Sequence, residues 1–138
     1  MIPKTDIIFD DYGDIQISNG DIKIVSNRLL ILRQHSIDRI KSSFGDYKLY
    51  KNLGADLNYY IGKPITKSIE SQIEESIVRS LTIDGFLERR QVACAATLIL
   101  NEVVIKTEIY SDASGSSSTS LTINGIFNTI NGVVNVYW

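Results

Sequence analysis

Two neighbouring stretches decide the fold. The first is Thr66-Lys67-Ser68-Ile69-Glu70-Ser71-Gln72-Ile73-Glu74-Glu75-Ser76-Ile77-Val78-Arg79-Ser80-Leu81; the second runs from Gln91 through Val92-Ala93-Cys94-Ala95-Ala96 to Val103-Val104-Ile105-Lys106-Thr107-Glu108-Ile109-Tyr110. In the first, Ile69, Ile73, Ile77 and Leu81 recur every four residues with Val78 beside them, the stripe of an amphipathic helix. Thr66 is placed to cap it. Glu70, Glu74 and Glu75 lie toward its start and Arg79 toward its end, the order the helix dipole favours. Burying those aliphatic side chains contributes about 1.5–3 kcal/mol each, so the helix belongs to the core. Asp84-Gly85 stops the pattern. The second stretch then reads as a hairpin, Gln91–Leu100 and Val103–Ser111, turning at Asn101-Glu102. Val103, Ile105, Thr107 and Ile109 share one face; Lys106, Glu108 and Tyr110, with Val104, share the other. Its first strand is small and apolar on both faces, which predicts cover on both sides.

Toward the N-terminus, Asp14–Ser18 and Asp21–Val25 flank Asn19-Gly20, a hairpin signal because both central positions of its tight turn need positive φ. Ser26 or Asn27 can cap a helix running to about Ser43, with Gly45 as its stop and a stripe of Leu29, Leu30, Leu32, Arg33, Ile37, Ile40 and Phe44. Residues 45–64 are turn-rich and aromatic, and Pro64 closes them. The expected fold is α+β: a small domain with two main helices packed with antiparallel β-hairpins, plus a C-terminal β-meander.

Toward the C-terminus the charges stop. Of the 30 charged residues 29 precede Ser111, and none follows Asp112. The boundary divides residues 1–110, the α+β domain, from 111–138. The latter opens with a Ser-rich run, Ser114 to Ser120, that reads as a linker. Leu121–Ile123, Ile126–Ile130 and Val133–Trp138 follow as short β-like runs, jointed at Asn124-Gly125 and Asn131-Gly132. An uncharged meander lacks the Lys, Pro and bulges that usually protect strand edges. It folds back to complete the domain's sheet, pairs its edge with another chain, or stays disordered.

Composition narrows the function classes. The chain has 138 residues, a net charge of -2 and a pI near 5.3, against the concentrated basic face that nucleic acid requires. A single Cys excludes an internal disulfide framework and a four-Cys zinc site. The N-terminus lacks an apolar stretch of signal-peptide length, and no apolar run approaches the roughly 18 residues that span a bilayer. The expectation is therefore no nucleic acid and no membrane partner.

Chemistry is hard to place. The one histidine, His35, falls inside the first helix, and no serine sits in a G-x-S-x-G elbow. Cys94, in an apolar strand, reads as an inert small hydrophobe. Asp10, Asp11, Asp14 and Asp21 lack the glycine and closing glutamate of a calcium loop and read as solvated turn carboxylates. Glu70 with Glu74, or Glu88 with a partner, could be nominated as a hydrolytic carboxylate pair, but no spacing selects them. The expectation is no enzyme, no metal and no cofactor. Glu88-Arg89-Arg90, between the second helix and its strand, is either a solvated charge cluster, an ion pair that fixes the turn, or a partner contact.

The order of segments resembles the sheath-initiator, or baseplate wedge, family of contractile phage tails and related injection machines. That family shows a helix ending in a T-x-x-G-E type turn, then F-G-x-x-L, an amphipathic helix, and a Glu-Pro-Arg motif entering a hairpin. The counterparts here are Ser42-Ser43-Phe44-Gly45-Asp46, Leu53-Gly54-Ala55-Asp56-Leu57, the Ile69–Leu81 helix, and Glu88-Arg89-Arg90 leading into Gln91–Leu100. Arg89 stands in place of the motif's proline and Asp46 in place of its glutamate. The resemblance covers about residues 14–110 and leaves 111–138 unassigned.

What the resemblance implies is structural: a virion protein in the tail baseplate, assembled in the host cytoplasm and present as six copies in a ring. Its partners would be baseplate wedge proteins, the tail sheath protein, and tube or hub proteins. Its hairpin would offer a strand edge to the first sheath ring by β-augmentation. On that view Val103, Ile105, Thr107 and Ile109 mark the sheath-facing edge, where a proline should block sheath without unfolding the domain. Glu88, Arg89 and Arg90 mark a wedge contact or turn clamp. The alternatives are a lysozyme-like peptidoglycan hydrolase, a label this family has carried, and a free-standing cytosolic adaptor.

Overall fold

The computed structural model describes residues 3–10, 12–64, 66–110 and 119–137. Most of the Ser-rich run read as a linker, and Trp138, lie outside them. Two helices cover one face of a four-stranded antiparallel sheet, giving an α+β domain. The sheet order is β5 (Val92–Ile99), β6 (Glu102–Tyr110), β7 (Thr119–Asn128), β8 (Val134–Tyr137).

Helix α1 spans Arg28–Lys41, and the Asn27 side chain accepts from Leu29 N (3.0 Å) and Leu30 N (3.3 Å). Its buried face is Ile31, Leu32 and Ile40, while Leu29 and Phe44 are exposed, so the stripe is rotated from the expected one. Helix α2 spans Lys67–Thr82, with Thr66 Oγ1 accepting from Ile69 N at 3.3 Å, and buries Ile73, Ile77, Val78 and Leu81 as their periodicity predicts. These side chains meet Val92, Ala96, Val103, Ile105, Ile109, Leu121, Ile123 and Phe127 of the sheet in one cluster.

Between the helices, the Leu53–Leu57 segment closes the end of α1. Ala55 N donates to Arg39 O (3.0 Å) and Asp56 N to Ser42 O (3.1 Å), satisfying carbonyls that a helix end leaves orphaned. Gly54 is required there: its φ is +113° and a Cβ would run into the Ser42 carbonyl oxygen. Arg79 of α2 holds the segment from outside, through Gly54 O (3.0 Å) and Asn52 O (3.3 Å).

The N-terminal segment is a pair of two-residue ladders, β1 (Asp6–Ile7) with β4 (Ile24–Val25) and β2 (Ile17–Ser18) with β3 (Asp21–Ile22). Asn19 and Gly20 both take positive φ in the predicted turn. Among the described residues none before Leu32 belongs to the main core cluster. Instead the Gln34 carboxamide imitates a neighbouring strand, donating to Ile7 O (2.9 Å) and accepting from Phe9 N (3.0 Å).

Three expectations are corrected. Asn124-Gly125 is not a turn. β7 runs straight through it, with Asn124 opposite Lys106 and Gly125 opposite Ile105. The alternation Leu121, Ile123, Gly125, Phe127 keeps one face on the core across the dipeptide, and pairing along all of β6 outweighs the local turn preference. Thr119 and Ser120, read as linker, already belong to β7. Finally, β5 is covered on one face only: Val92 and Ala96 are buried, while Ala93, Ala95, Thr97 and Ile99 face solvent. The Asn131-Gly132 turn is present, with Gly132 at φ +74° and Asn128 N donating to Val133 O (2.9 Å).

Candidate assembly edge

The residues expected at a sheath-facing edge lie in the middle of the sheet. β6 pairs with β5 on one side and β7 on the other, and Val103, Ile105, Thr107 and Ile109 are at most 2% exposed. A hairpin read in isolation has two free edges. The uncharged tail occupies one of them, so the assignment of Val103–Tyr110 as an edge is overturned. Proline at Ile105 or Thr107 would break a central ladder and unfold the domain.

The sheet's two actual edges differ in kind. Along β5, Ala96 N donates to Glu74 Oε1 (2.9 Å) and Leu98 N to Glu70 Oε1 (2.8 Å). Residues four apart on a helix rise by about 6 Å, and two apart on a strand by nearly 7 Å, so consecutive outward N–H groups of β5 meet consecutive turns of α2. The carboxylates that invited a hydrolytic reading are spent as edge acceptors, leaving those donors closed to another strand.

The opposite edge has no such cover. β8 pairs only with Asn124–Phe127, so Thr119–Ile123 of β7, bonded to β6 on one side, lack a neighbour on the other among the described strands. The bond from Asn128 N to Val133 O fixes the alternation and turns the N–H groups of Val134 and Val136 outward. Neither β7 nor β8 contains a charged residue or a proline. Beneath this edge Val136 helps line a groove of about 290 Å³ that mixes apolar residues (Ile8, Leu30, Ile37) with charged ones (Arg33, Asp38, Lys41).

Glu88, Arg89 and Arg90 form an exposed turn. Arg90 Nη2 donates to Glu88 Oε2 at 3.1 Å and Arg89 Nη2 to Glu75 Oε2 at 2.9 Å, every partner being at least 60% exposed. Such pairs contribute about 0–1 kcal/mol. Gln91 does more to fix the turn: its Oε1 accepts from Glu88 N (3.0 Å), its own N donates to Glu88 O (2.9 Å), and its Nε2 reaches Tyr110 O (3.4 Å). A better-shielded ion pair, with its arginine largely covered and its carboxylate half exposed, lies elsewhere. Arg39, whose side chain is 13% exposed, binds both carboxylate oxygens of Asp84 (3.0 and 3.2 Å), donates to Ser80 O (3.1 Å) and covers the Phe86 ring at 4.1 Å. It ties α1 to the turn after α2, where Asp84 and Gly85 both have positive φ. Nothing in the linear spacing of Arg39 and Asp84 announces this contact.

The remaining candidates for chemistry have structural occupations. His35 Nε2 and Asp6 Oδ2 lie 2.7 Å apart, holding β1 to α1, and the imidazole stacks on Phe86. The Cys94 thiol accepts from Thr107 Oγ1 (3.6 Å), and burial pushes its pKa up to about 11, so it is protonated at neutral pH and a poor nucleophile. Asp10 Oδ1 accepts from Tyr12 N and Asp14 N (both 2.9 Å), a turn carboxylate as expected; Asp11 lies outside the described residues. On the open face of the sheet, the Lys106 ammonium (2.7 Å) and the Tyr110 hydroxyl (3.0 Å) bind Glu108 and hold its carboxyl below the ordinary range. Among the described residues no group of three or more His, Cys, Asp or Glu could hold a metal ion, and no helix is long and apolar enough to cross a membrane. Compared with protein-family models, curated proteins and solved structures, the chain matches none.

Proposed function

We propose that this chain is a structural subunit of a contractile-tail baseplate, which binds wedge subunits and starts sheath assembly by lending a sheet edge to the first sheath ring. One observation carries the reading: the sheet is sealed along β5 by Glu70 and Glu74 and left open and uncharged along β8 and the first half of β7. A monomer that lived alone would be expected to protect both edges. The order of motifs from Ser42 to Leu100 supports the same reading, and the exposed Glu88-Arg89-Arg90 turn offers charged groups to a wedge partner. An incoming strand would take its main-chain bonds from Val134 and Val136 and set alternate side chains over the groove beneath Val136.

The test is a proline at the open edge. Val136 spends no N–H on β7, so Val136→Pro leaves the internal ladder intact while removing an outward donor and obstructing a neighbouring strand. The variant is expected to remain folded and to assemble baseplates that fail to nucleate sheath. Normal sheath growth from such baseplates would overturn the reading.

A further inference from the structure

Helix α1 has two covered faces. Leu32 and Ile40, two turns apart, belong to the main core cluster. Ile31, Gln34 and His35 stand at i, i+3 and i+4, the spacing of a second face. Ile31 is fully buried, yet among the described residues it is the one buried apolar side chain outside that cluster. Its neighbours on the face identify its cover. Gln34 bonds Ile7 O (2.9 Å) and Phe9 N (3.0 Å), and His35 Nε2 lies 2.7 Å from Asp6 Oδ2. The second face of α1 is the ground under strands β1 to β4.

Those strands form a unit of their own. Ile8 N donates to Lys23 O (3.2 Å), Gln16 N to Ile8 O (3.0 Å) and Lys23 N to Gln16 O (2.9 Å), so their ladder bonds run among themselves. Ile7, Ile8 and Val25 are half-buried, and none of the three packs against the main cluster. Nor does α1 depend on them. Asn27 caps its first turn, and Leu32 and Ile40 hold it to the core. Lifting the unit therefore uncovers one buried apolar side chain, Ile31, and breaks the polar ties of Gln34 and His35. A segment with so few buried apolar contacts opens at a free energy well below that of the whole domain.

We propose that β1 to β4 are a strap that opens and closes over α1 as one unit while the domain stays folded. The groove beneath β8 gives the motion its consequence. Ile8, Phe9 and Gly13 of the strap line it together with Leu30 and Ile37 of α1, and Val136 reaches it from the sheet edge. The groove thus has a movable wall. With the strap lifted, α1 presents Leu30, Ile31 and Ile37 beside the open edge. The strap moves whatever that edge binds, so the proposal stands apart from the baseplate reading.

The experiment is native-state hydrogen exchange on the full chain at rising, subdenaturing urea. Two-residue ladders do not persist once lifted off α1, so the strap's amides exchange whenever it opens. The amides of Ile8, Phe9, Gln16 and Lys23 should exchange through one shared opening, with a weaker urea dependence than those of Ile105 and Thr107 in β6. Gln34→Ala should speed the four strap amides about 10- to 100-fold by removing both strand-like bonds. Ile31→Ala should speed them as well. Ile105→Val, a mild loss in the central strand, should speed the β6 amides about 2- to 10-fold and leave the strap amides unchanged. Strap amides that share the urea dependence of β6, ignore Gln34→Ala or Ile31→Ala, or move with Ile105→Val would each overturn the proposal.

Discussion

Cys94 shows how one side chain's place in the sheet sets its chemistry. A thiol raised from 9.0 to about 11 is favoured in its neutral form by the folded state. Its contribution to stability is complete below the unfolded pKa and is lost as pH rises through about 11. Between pH 7 and pH 11 the wild-type chain should therefore lose about 2–3 kcal/mol relative to Cys94→Ala, read as converging or crossing denaturation midpoints. Parallel midpoints across that range would show the thiol to be solvated. The sequence was informative here, because an apolar strand around Cys94 already implied an inert thiol. Arg39 was not legible in the same way: its bond to Asp84 spans 45 residues of sequence and depends on how α1 crosses α2.

At the level of elements, helix α2 and the β5–β6 hairpin were legible because their burial repeats at the periods of the backbone itself. Edges were not, since being an edge is a property of neighbours and not of the strand. β6 has the alternation of a half-buried strand wherever it sits, and only the arrival of β7 makes it central. The same applies to Glu70 and Glu74. On a helical wheel they are solvated charges, and only the position of β5 makes them acceptors. Glu74→Ala should cost about 1–2 kcal/mol by leaving Ala96 N without its charged acceptor, whereas Glu74→Gln, which keeps an oxygen at that place, should cost much less. Glu70→Ala with Glu74→Ala should also promote self-association through the uncovered β5 edge, measured by sedimentation. Equal stabilities for the Ala and Gln variants would contradict the capping role.

For the molecule as a whole, the charge boundary at residue 112 marks a change in surface chemistry, and it does not mark the end of the core. Leu121, Ile123 and Phe127 are at most 7% exposed and pack on the helices and on β6. A chain ending at residue 110 should consequently fail to fold cooperatively, losing the core contribution of three large side chains at about 1.5–3 kcal/mol each, as calorimetry would show. A cooperative transition in that fragment would restore the tail to the status of an appendage. The absence of charge in β7 and β8 follows in part from one face being core; on the proposed reading it also leaves the free edge of β8 clear of the lysines that would repel another strand.

On the proposed function, this open edge belongs to a baseplate. Quantitative mass spectrometry on purified contractile particles from the source tests it most directly. A small fixed copy number, far below that of sheath and compatible with sixfold symmetry, is the expected result. Particles without the chain, beside abundant free monomer in the lysate, would contradict it.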